Sequence, residues 1–191
     1  MYNLGGNVLQ RTLSKAFPGK AAATVAEILF LLFVGAFAVT LHAKLRIPMQ
    51  MPGKQGFIFM ALIVMAASMS QFKFASSIAC IGASGLLFFN MLGFDDPFMP
   101  LNYFLLGVVL DLCFYFFKST KPNIFLFALA GGIAWLCIPL FRFIEMNITG
   151  LPFKSLINGV AFPFSSHYVF GFAGALLGAG IIKASFKNQN K

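Results

Sequence analysis

Charged residues are scarce in this chain, and acidic residues are the scarcest: only 5 of 191 residues are Asp or Glu, and 14 are Lys or Arg. Together they make up 10% of the sequence, whereas soluble globular domains carry about 25%. Apolar residues make up 59%, and 26 residues are Phe. This deficit of charge excludes an ordinary soluble domain and favours a chain whose surroundings are apolar.

Cysteine is also rare, and the three that occur, Cys80, Cys113 and Cys137, lie in apolar stretches without the spacing of metal ligands. They are expected to be small packing residues, not disulfide partners. The chain has no Walker phosphate-binding motif, so any ATP hydrolysis must come from partner chains. It also has no linker, low-complexity run or internal repeat. One domain without a cofactor or metal site is therefore expected.

What the sequence does contain is a series of six apolar stretches joined by short connections. Most approach the roughly 20 residues that a helix needs to cross about 30 Å of hydrocarbon, although the second is short and Asp111 interrupts the fourth. The stretches cover residues 24–43, 57–70, 74–92, 100–117, 123–143 and 165–185. They predict an all-α integral membrane protein with a six-helix transmembrane domain at residues 24–186. Residues 1–23 would form a cytoplasmic lead and residues 187–191 a cytoplasmic tail.

The distribution of positive charge predicts the orientation. If the N-terminus lies inside, the inner segments collect nine cations, and the outer segments collect five cations together with Asp95 and Asp96. The positive-inside rule then predicts six spans with both termini cytoplasmic. The basic ends are expected to contact anionic headgroups of the lipid bilayer, and a nucleic-acid partner is not expected.

Two connections on the outer side are long and partly apolar. The first, residues 44–54, contains two prolines and a glycine, which preclude a helix, yet Ile47, Met49 and Met51 are too apolar for a loop simply exposed to water. It is expected either to fold back on the bundle as a lid or to rest in the headgroup region. The second, at about residues 144–164, is expected to cover part of the same outer face.

Polar and aromatic residues gather at the depth just below these loops. Polar side chains inside a membrane are costly and usually face the bundle interior or a cavity. Those at this depth are Asn90, Asn102, Tyr103, Trp135, His167 and Tyr168, with Arg46 and Gln50 available from the first loop. We expect them to form a substrate pocket in which Arg46 pairs with a ligand carboxylate. The alternative is that each lies singly in the interfacial belt.

Two acidic residues fall inside predicted helices. Asp111 is expected either to line the floor of the pocket or to hydrogen-bond a Ser or Thr on a neighbouring helix, a structural role being favoured over a proton relay. Glu27, near the cytoplasmic end of helix 1, is expected to pair with a cytoplasmic lysine.

Small residues recur at four-residue spacing in several stretches, which lets helix backbones approach closely. Internal packing is expected for those at residues 75–83 and 171–179. Ala22 and Ala26, at the cytoplasmic end of helix 1, are the candidates for docking another membrane subunit.

Several segments then suggest a family. Six helices in about 190 residues, a short basic lead, and residues 43–48 (AKLRIP), 107–112 (GVVLDL) and 171–178 (GFAGALLG) resemble the substrate-binding S components of energy-coupling-factor vitamin transporters. The biotin-specific branch is the nearest: the Pro48 and Gln50 positions resemble parts of its Pro-Val-Pro-x-Thr-x-Gln signature, which the chain does not carry in full. The resemblance implies capture of a vitamin-like molecule from outside. It also implies assembly with a transmembrane coupling subunit and cytoplasmic ATPases, with docking at Ala22 and Ala26.

Two other functions remain open at this point. Residues 82–85 (GASG) match the Gly-x-Ser-Gly nucleophile motif of rhomboid-like intramembrane proteases, with Ser84 as nucleophile and His167 as base. The chain lacks the upstream His-x-x-x-Asn and the long first loop of that family. The third reading is a structural or assembly membrane protein without a small-molecule ligand.

Overall fold

The computed structural model describes residues 8–17, 19–45, 50–89, 92–94, 96–117, 123–150, 153, 155–156 and 159–187. All seven regular elements in these ranges are α-helices. In chain order they are α1 Val8–Ala16, α2 Lys20–Lys44, α3 Gly56–Met69, α4 Ala75–Phe88, α5 Met99–Phe116, α6 Ile124–Thr149 and α7 Ala161–Lys187. Each predicted apolar stretch coincides with one of the helices α2 to α7, and α1 lies within the predicted lead.

The helices are those of a membrane protein. Four of them, α2, α5, α6 and α7, are long and apolar enough to cross a bilayer, with mean hydropathies between 1.4 and 2.3. The outer surface is apolar as well: Phe33 is 67% exposed, Phe88 79%, Phe116 75% and Ile148 78%. Large patches of this kind do not occur on soluble monomers. The chain is a multi-pass helical membrane protein, in which α3 and α4, at 14 residues each, would span only about 21 Å.

Hydrogen bonds at opposite ends of the bundle show that α5 runs in the opposite direction to both α2 and α4. At one end, here called the cavity end, the hydroxyl of Tyr103 near the start of α5 lies 2.7 Å from Nδ1 of His42 near the end of α2. At the other, called the far end, Asp111 near the end of α5 accepts hydrogen bonds from Ser76 and Ser77 at the start of α4. These bonds place the start of α4 beside the end of α5.

Glycines allow α2 and α4 to cross with their backbones in contact. A Cβ at Gly35 would overlap the carbonyl oxygen of Ala79, and a Cβ at Gly82 would overlap that of Leu32. Ala79 is fully buried in this contact, so the small residues of α4 pack internally, as expected.

The small residues of α7 pack against two neighbouring helices, α3 and α6. Gly174 and Gly178 face carbonyl oxygens of α3, those of Phe57 and Ala61, and a Cβ at either glycine would overlap them. Gly171, on another side of α7, lies against Trp135 of α6. The prediction that this stripe packs inside the bundle is therefore confirmed.

The carboxylate of Glu27 holds the turn between α3 and α4 at the far end. Glu27 of α2 is fully buried and accepts hydrogen bonds from Ser70 Oγ (2.7 Å), from the backbone N–H of Gln71 (2.9 Å) and from Gln71 Nε2 (3.1 Å). Among the described residues its partners are these three donors and not the expected lysine, so the buried carboxylate is satisfied by the turn.

The outer loop was predicted at residues 144–164, and this prediction is wrong in length. Helix α6 continues to Thr149 and ends at Gly150, whose φ of 72° is the left-handed conformation that commonly follows a helix. Helix α7 starts at Ala161, so Pro163 lies in its first turn, where the missing N–H has no helical partner to lose. The connection is accordingly about half as long as predicted.

Candidate ligand-binding site

A cavity of about 140 Å³ lies at the cavity end, beneath the connection between α2 and α3. For scale, an engineered cavity of about 150 Å³ in an apolar protein core holds a benzene molecule. The walls come from α2, α5, α6 and α7, and the roof comes from residues 51–55 of the first loop. In the described part of the chain, this is a space for one ring-sized group.

Aromatic rings from five helices meet at this cavity. Tyr103 of α5 lies edge-on to Phe59 of α3, with ring centroids 4.9 Å apart, and to His42 of α2 at 5.8 Å. Trp135 of α6 lies 6.1 Å from Tyr103 and is stacked on His167 of α7 at 6.2 Å, with an angle of 24° between the rings. Trp135 and Tyr103 are each 1% exposed, so the rings form a rigid apolar wall.

Hydrogen bonds set the polar edges of the two histidines. Nδ1 of His167 lies 2.7 Å from the carbonyl oxygen of Pro163. Because a carbonyl can only accept, the proton is on Nδ1, and Nε2 of the neutral ring is an acceptor. His42 and the Tyr103 hydroxyl form a pair in which either group can donate, since imidazole and phenol have both capacities. The cavity can therefore accept and donate hydrogen bonds along its ring wall.

The first loop closes the cavity through Gly53. Its carbonyl oxygen accepts a hydrogen bond of 3.1 Å from Nε1 of Trp135, and its φ of 77° lies in the left-handed region. A Cβ at this position would stand 2.6 Å from Cγ of His167. The two ends of the loop are also joined, since Nε2 of Gln55 donates to the carbonyl oxygen of Leu45 at 3.0 Å. In its described part, residues 50–55, the loop thus folds back on the bundle as expected of a lid.

Two cations contribute to the cavity walls, Lys54 on the loop and Arg142 on α6. Arg142 forms an ion pair with Asp96 of the α4–α5 connection: its Nε and Nη2 both donate to Oδ2, at 3.2 and 3.1 Å. The guanidinium also lies 5.8 Å from the centroid of the Phe153 ring. Among the described residues that line the cavity there is no Asp or Glu, and the carboxylate that pairs with Arg142, that of Asp96, lies outside the lining.

Asn102 and Glu145 form a second polar group at this end. Asn102 is 2% exposed, and in the described part of the chain neither amide atom of its side chain has a hydrogen-bond partner; the same holds for Oε2 of Glu145. The carboxylate lies near enough to the amide to interact with it, yet no hydrogen bond of good geometry joins them. A buried polar group without a partner is costly, and Asn102 is such a group among the described residues.

Three of the predicted site residues, Tyr103, Trp135 and His167, line the cavity together. Asn102 is buried at the same end but does not line it, and Gln50 is exposed on the loop. Arg46 and Asn90 lie outside the described residues.

The other two predicted residues lie elsewhere. Tyr168 points away from the cavity, with its ring 6.1 Å from that of Phe172 and close to Gly132. Asp111 is at the far end, eight residues or about 12 Å along α5 from Tyr103. It hydrogen-bonds Ser77, on a neighbouring helix, and does not form the cavity floor.

Sequence reasoning missed His42 and Arg142. His42 lies at the same predicted depth as the chosen residues and was recognisable on that criterion. Arg142 was counted as a charge beside a loop because the fifth apolar stretch, now α6, was expected to end at residue 143. Gly150, a residue typical of helix C-termini, indicates a longer helix in which Arg142 lies about two turns before the end.

The geometry does not favour the protease reading. The hydroxyl of Ser84 donates to the carbonyl oxygen of Pro100 at 2.6 Å, and Nδ1 of His167 bonds Pro163. A serine nucleophile needs a histidine within hydrogen-bond reach of its hydroxyl. In this structure the two side chains have different partners.

Changing Gly53 to Ala should lift the loop from the cavity. The new methyl group would meet the ring of His167, and the left-handed backbone is unfavourable for Ala by about 1 kcal/mol. Because Trp135 is the only tryptophan in the chain, its fluorescence emission should shift to the red as water reaches the indole. Gly93→Ala is the matched control: its φ is 69°, but nothing lies within 4 Å of the added Cβ. An equal shift in both variants would contradict the assignment of Gly53 as the lid contact.

Comparison of the chain with protein-family models, with curated proteins and with solved structures yields no match.

Proposed function

We propose that this chain is the membrane-embedded substrate-binding subunit of an energy-coupling-factor uptake transporter. It would capture a small vitamin-like molecule from outside the cell and release it inward with a coupling protein and two ATPases. The observation that carries the proposal is the ring-walled cavity beneath a loop that is hydrogen-bonded to its wall through Trp135 and Gly53. A closable pocket with an apolar lining and a few convergent polar groups is the usual form of a small-molecule site.

The topology belongs to the same proposal. Helices α2 to α7 would cross the membrane six times, with the cavity end outside, the far end inside and both termini in the cytoplasm of a bacterial cell. The course of α5, antiparallel to both α2 and α4, supports this arrangement. In this arrangement the short helices α3 and α4 leave part of the depth at the cavity end to residues 50–55 of the first loop and to the start of α5. The carbonyl oxygen of Gly53 in that loop is satisfied by Trp135, and that of Pro100 at the start of α5 is satisfied by Ser84.

Coupling would use the cytoplasmic end of α2. Ala22 is exposed and Ala26 is half-buried, so the two alanines leave a shallow surface on which another helix can approach closely. The neighbouring outward side chains Val25 and Leu29 are 55% and 59% exposed, which gives this surface apolar borders. Such a face, set far from the cavity, would let docking and substrate binding be separate events.

The test is purification of the tagged chain from its native membranes with its partners. We expect a multi-pass coupling protein and ATPases with Walker motifs in fixed stoichiometry. Ala22→Leu or Ala26→Leu should lower their recovery by about tenfold, since a bulky side chain blocks close helix approach. Ligand binding by the isolated chain should be unchanged. Ala21→Leu is the control, an exposed position about 100° around the helix from Ala22. Absence of ATPase partners would refute the transporter, and equal loss of ligand binding would mean that these alanines pack the bundle.

A further inference from the structure

We propose that the ligand of this cavity is a single planar ring that carries a carboxylate. Arg142 binds the carboxylate, and Asp96 holds the guanidinium in place. This inference rests on the proposed binding function and names its substrate class. Four observations lead to it: the charge of the cavity walls, the free edge of the guanidinium, the anchoring of Asp96 and the stacked rings.

The charge of the walls selects an anion. Arg142 and Lys54 both line the cavity, and no acidic side chain does so among the described residues. The carboxylate of Asp96 contacts Arg142 from outside the lining. A cationic ligand would find no acidic partner among the described lining residues, and the guanidinium of Arg142 would repel it. An anionic ligand would find hydrogen-bond donors in the same guanidinium.

The guanidinium of Arg142 has an edge left for a ligand. Nε and Nη2 both donate to one oxygen, Oδ2 of Asp96, and in the described part of the chain Asp96 is its only hydrogen-bond partner. Nη1 is therefore available. A planar guanidinium binds a carboxylate through two parallel N–H···O bonds, which makes arginine well suited to this recognition. The Phe153 ring under the guanidinium keeps it in one orientation.

Asp96 is held independently of Arg142. Its other oxygen, Oδ1, accepts a hydrogen bond of 3.1 Å from the backbone N–H of Phe98, in the turn before α5. Asp96 therefore stays in position when a ligand carboxylate binds the free edge of the guanidinium. It keeps the charge of the half-buried guanidinium paired while the cavity is empty. Its own negative charge, next to the bound carboxylate, weakens the attraction of that carboxylate to Arg142.

The shape of the cavity selects the ring. Trp135 and His167 are stacked on each other with 24° between their planes, and both line the cavity together with His42 and Tyr103. A volume of about 140 Å³ is close to that of a cavity that holds one benzene ring. The two histidines supply hydrogen-bonding groups at the ring edge, so a heteroatom in the ring would also be satisfied.

The experiment compares acids with their amides on the purified full-length chain. The probes are benzoate against benzamide and nicotinate against nicotinamide, which differ in charge while the ring is the same. Binding is followed by fluorescence of the single tryptophan, Trp135. We expect the acids to bind at least about tenfold more tightly than the amides. Equal affinity of acid and amide, or no binding of either acid, would overturn the proposal.

Substitutions then test the roles of the ion pair. Arg142→Gln should weaken acid binding by roughly 10- to 100-fold and remove the preference for acids, and Arg142→Lys should restore part of it. Asp96→Asn keeps the acceptor for the Phe98 N–H but removes the negative charge. It should therefore strengthen acid binding by about threefold or more. Lys73→Gln, an exposed position outside the cavity, is the control and should change nothing.

The decisive result is that Arg142→Gln weakens acid binding while Asp96→Asn strengthens it, since mere loss of structure would weaken binding in both variants. Weakening in both would overturn the assigned role of Asp96. The transporter proposal fails separately, through the absence of ATPase partners, whatever the isolated chain binds.

Discussion

Replacing Gly35 or Gly82 by alanine is expected to lower the free energy of unfolding by about 3 kcal/mol or more. Each added methyl group would overlap a backbone carbonyl oxygen of the facing helix, that of Ala79 or of Leu32. A backbone atom cannot move aside as a flexible side chain can, so α2 and α4 would have to separate. Separation would also disturb the buried surface that Ala79 and its neighbours share with Leu31.

The measurement is unfolding of the purified protein in mixed micelles, followed by circular dichroism as denaturing detergent is added. Gly85→Ala on the same helix α4 is the matched control, because nothing lies within 4 Å of its added Cβ. It should be neutral or stabilising by up to about 1 kcal/mol, given the higher helix propensity of Ala. If Gly85→Ala and Gly82→Ala were equally stable, the close contact of α2 with α4 would be refuted.

Asp111→Ala is expected to cost about 3 kcal/mol or more. The carboxylate accepts the backbone N–H groups of Ser76 (3.1 Å) and Ser77 (2.8 Å) and the hydroxyl of Ser77 (2.6 Å), and so caps α4 from a neighbouring helix. Removing it leaves these donors without a partner in a region where lipid cannot replace it. The same unfolding measurement checks the loss.

Two further variants grade this effect. Ser77→Ala removes one of the three hydrogen bonds and should cost about 1 kcal/mol, whereas Asp111→Asn keeps one acceptor oxygen and should fall between. If Asp111→Ala unfolded like the unaltered chain while uptake was lost, the carboxylate would have a transport role and not the capping role argued from its bonds.

The helices themselves were predictable because their signal is local. Each apolar stretch is long enough to bury its own backbone polar groups in hydrogen bonds, and this requirement of the bilayer is met within the stretch. The ends were less predictable. Helix α6 passes through Pro139 and beyond the expected end at residue 143 to Thr149, and its last turns are supported by contacts such as that of Arg142 with Asp96.

The candidate site was predicted in part. The depth argument correctly brought Tyr103, Trp135 and His167 together, since residues at the same depth of antiparallel helices are neighbours. Depth does not report which way a side chain points around its helix. Tyr168 follows His167 by one residue, or about 100° of rotation, and therefore faces Phe172.

By itself, the amino-acid sequence determined that the surroundings of this protein are a membrane, where its helices lie along the chain and at which depth its polar groups gather. These follow from composition and from the length of apolar runs. Only the tertiary structure decided the rotation of each helix and the partners of the charged residues. Asp111 binds the start of α4, Glu27 binds the α3–α4 turn, and Arg142 lies between Asp96 and the cavity. The physical reason is that a buried charge must find donors or a counter-charge, and in this bundle those partners lie 34 to 46 residues away along the chain.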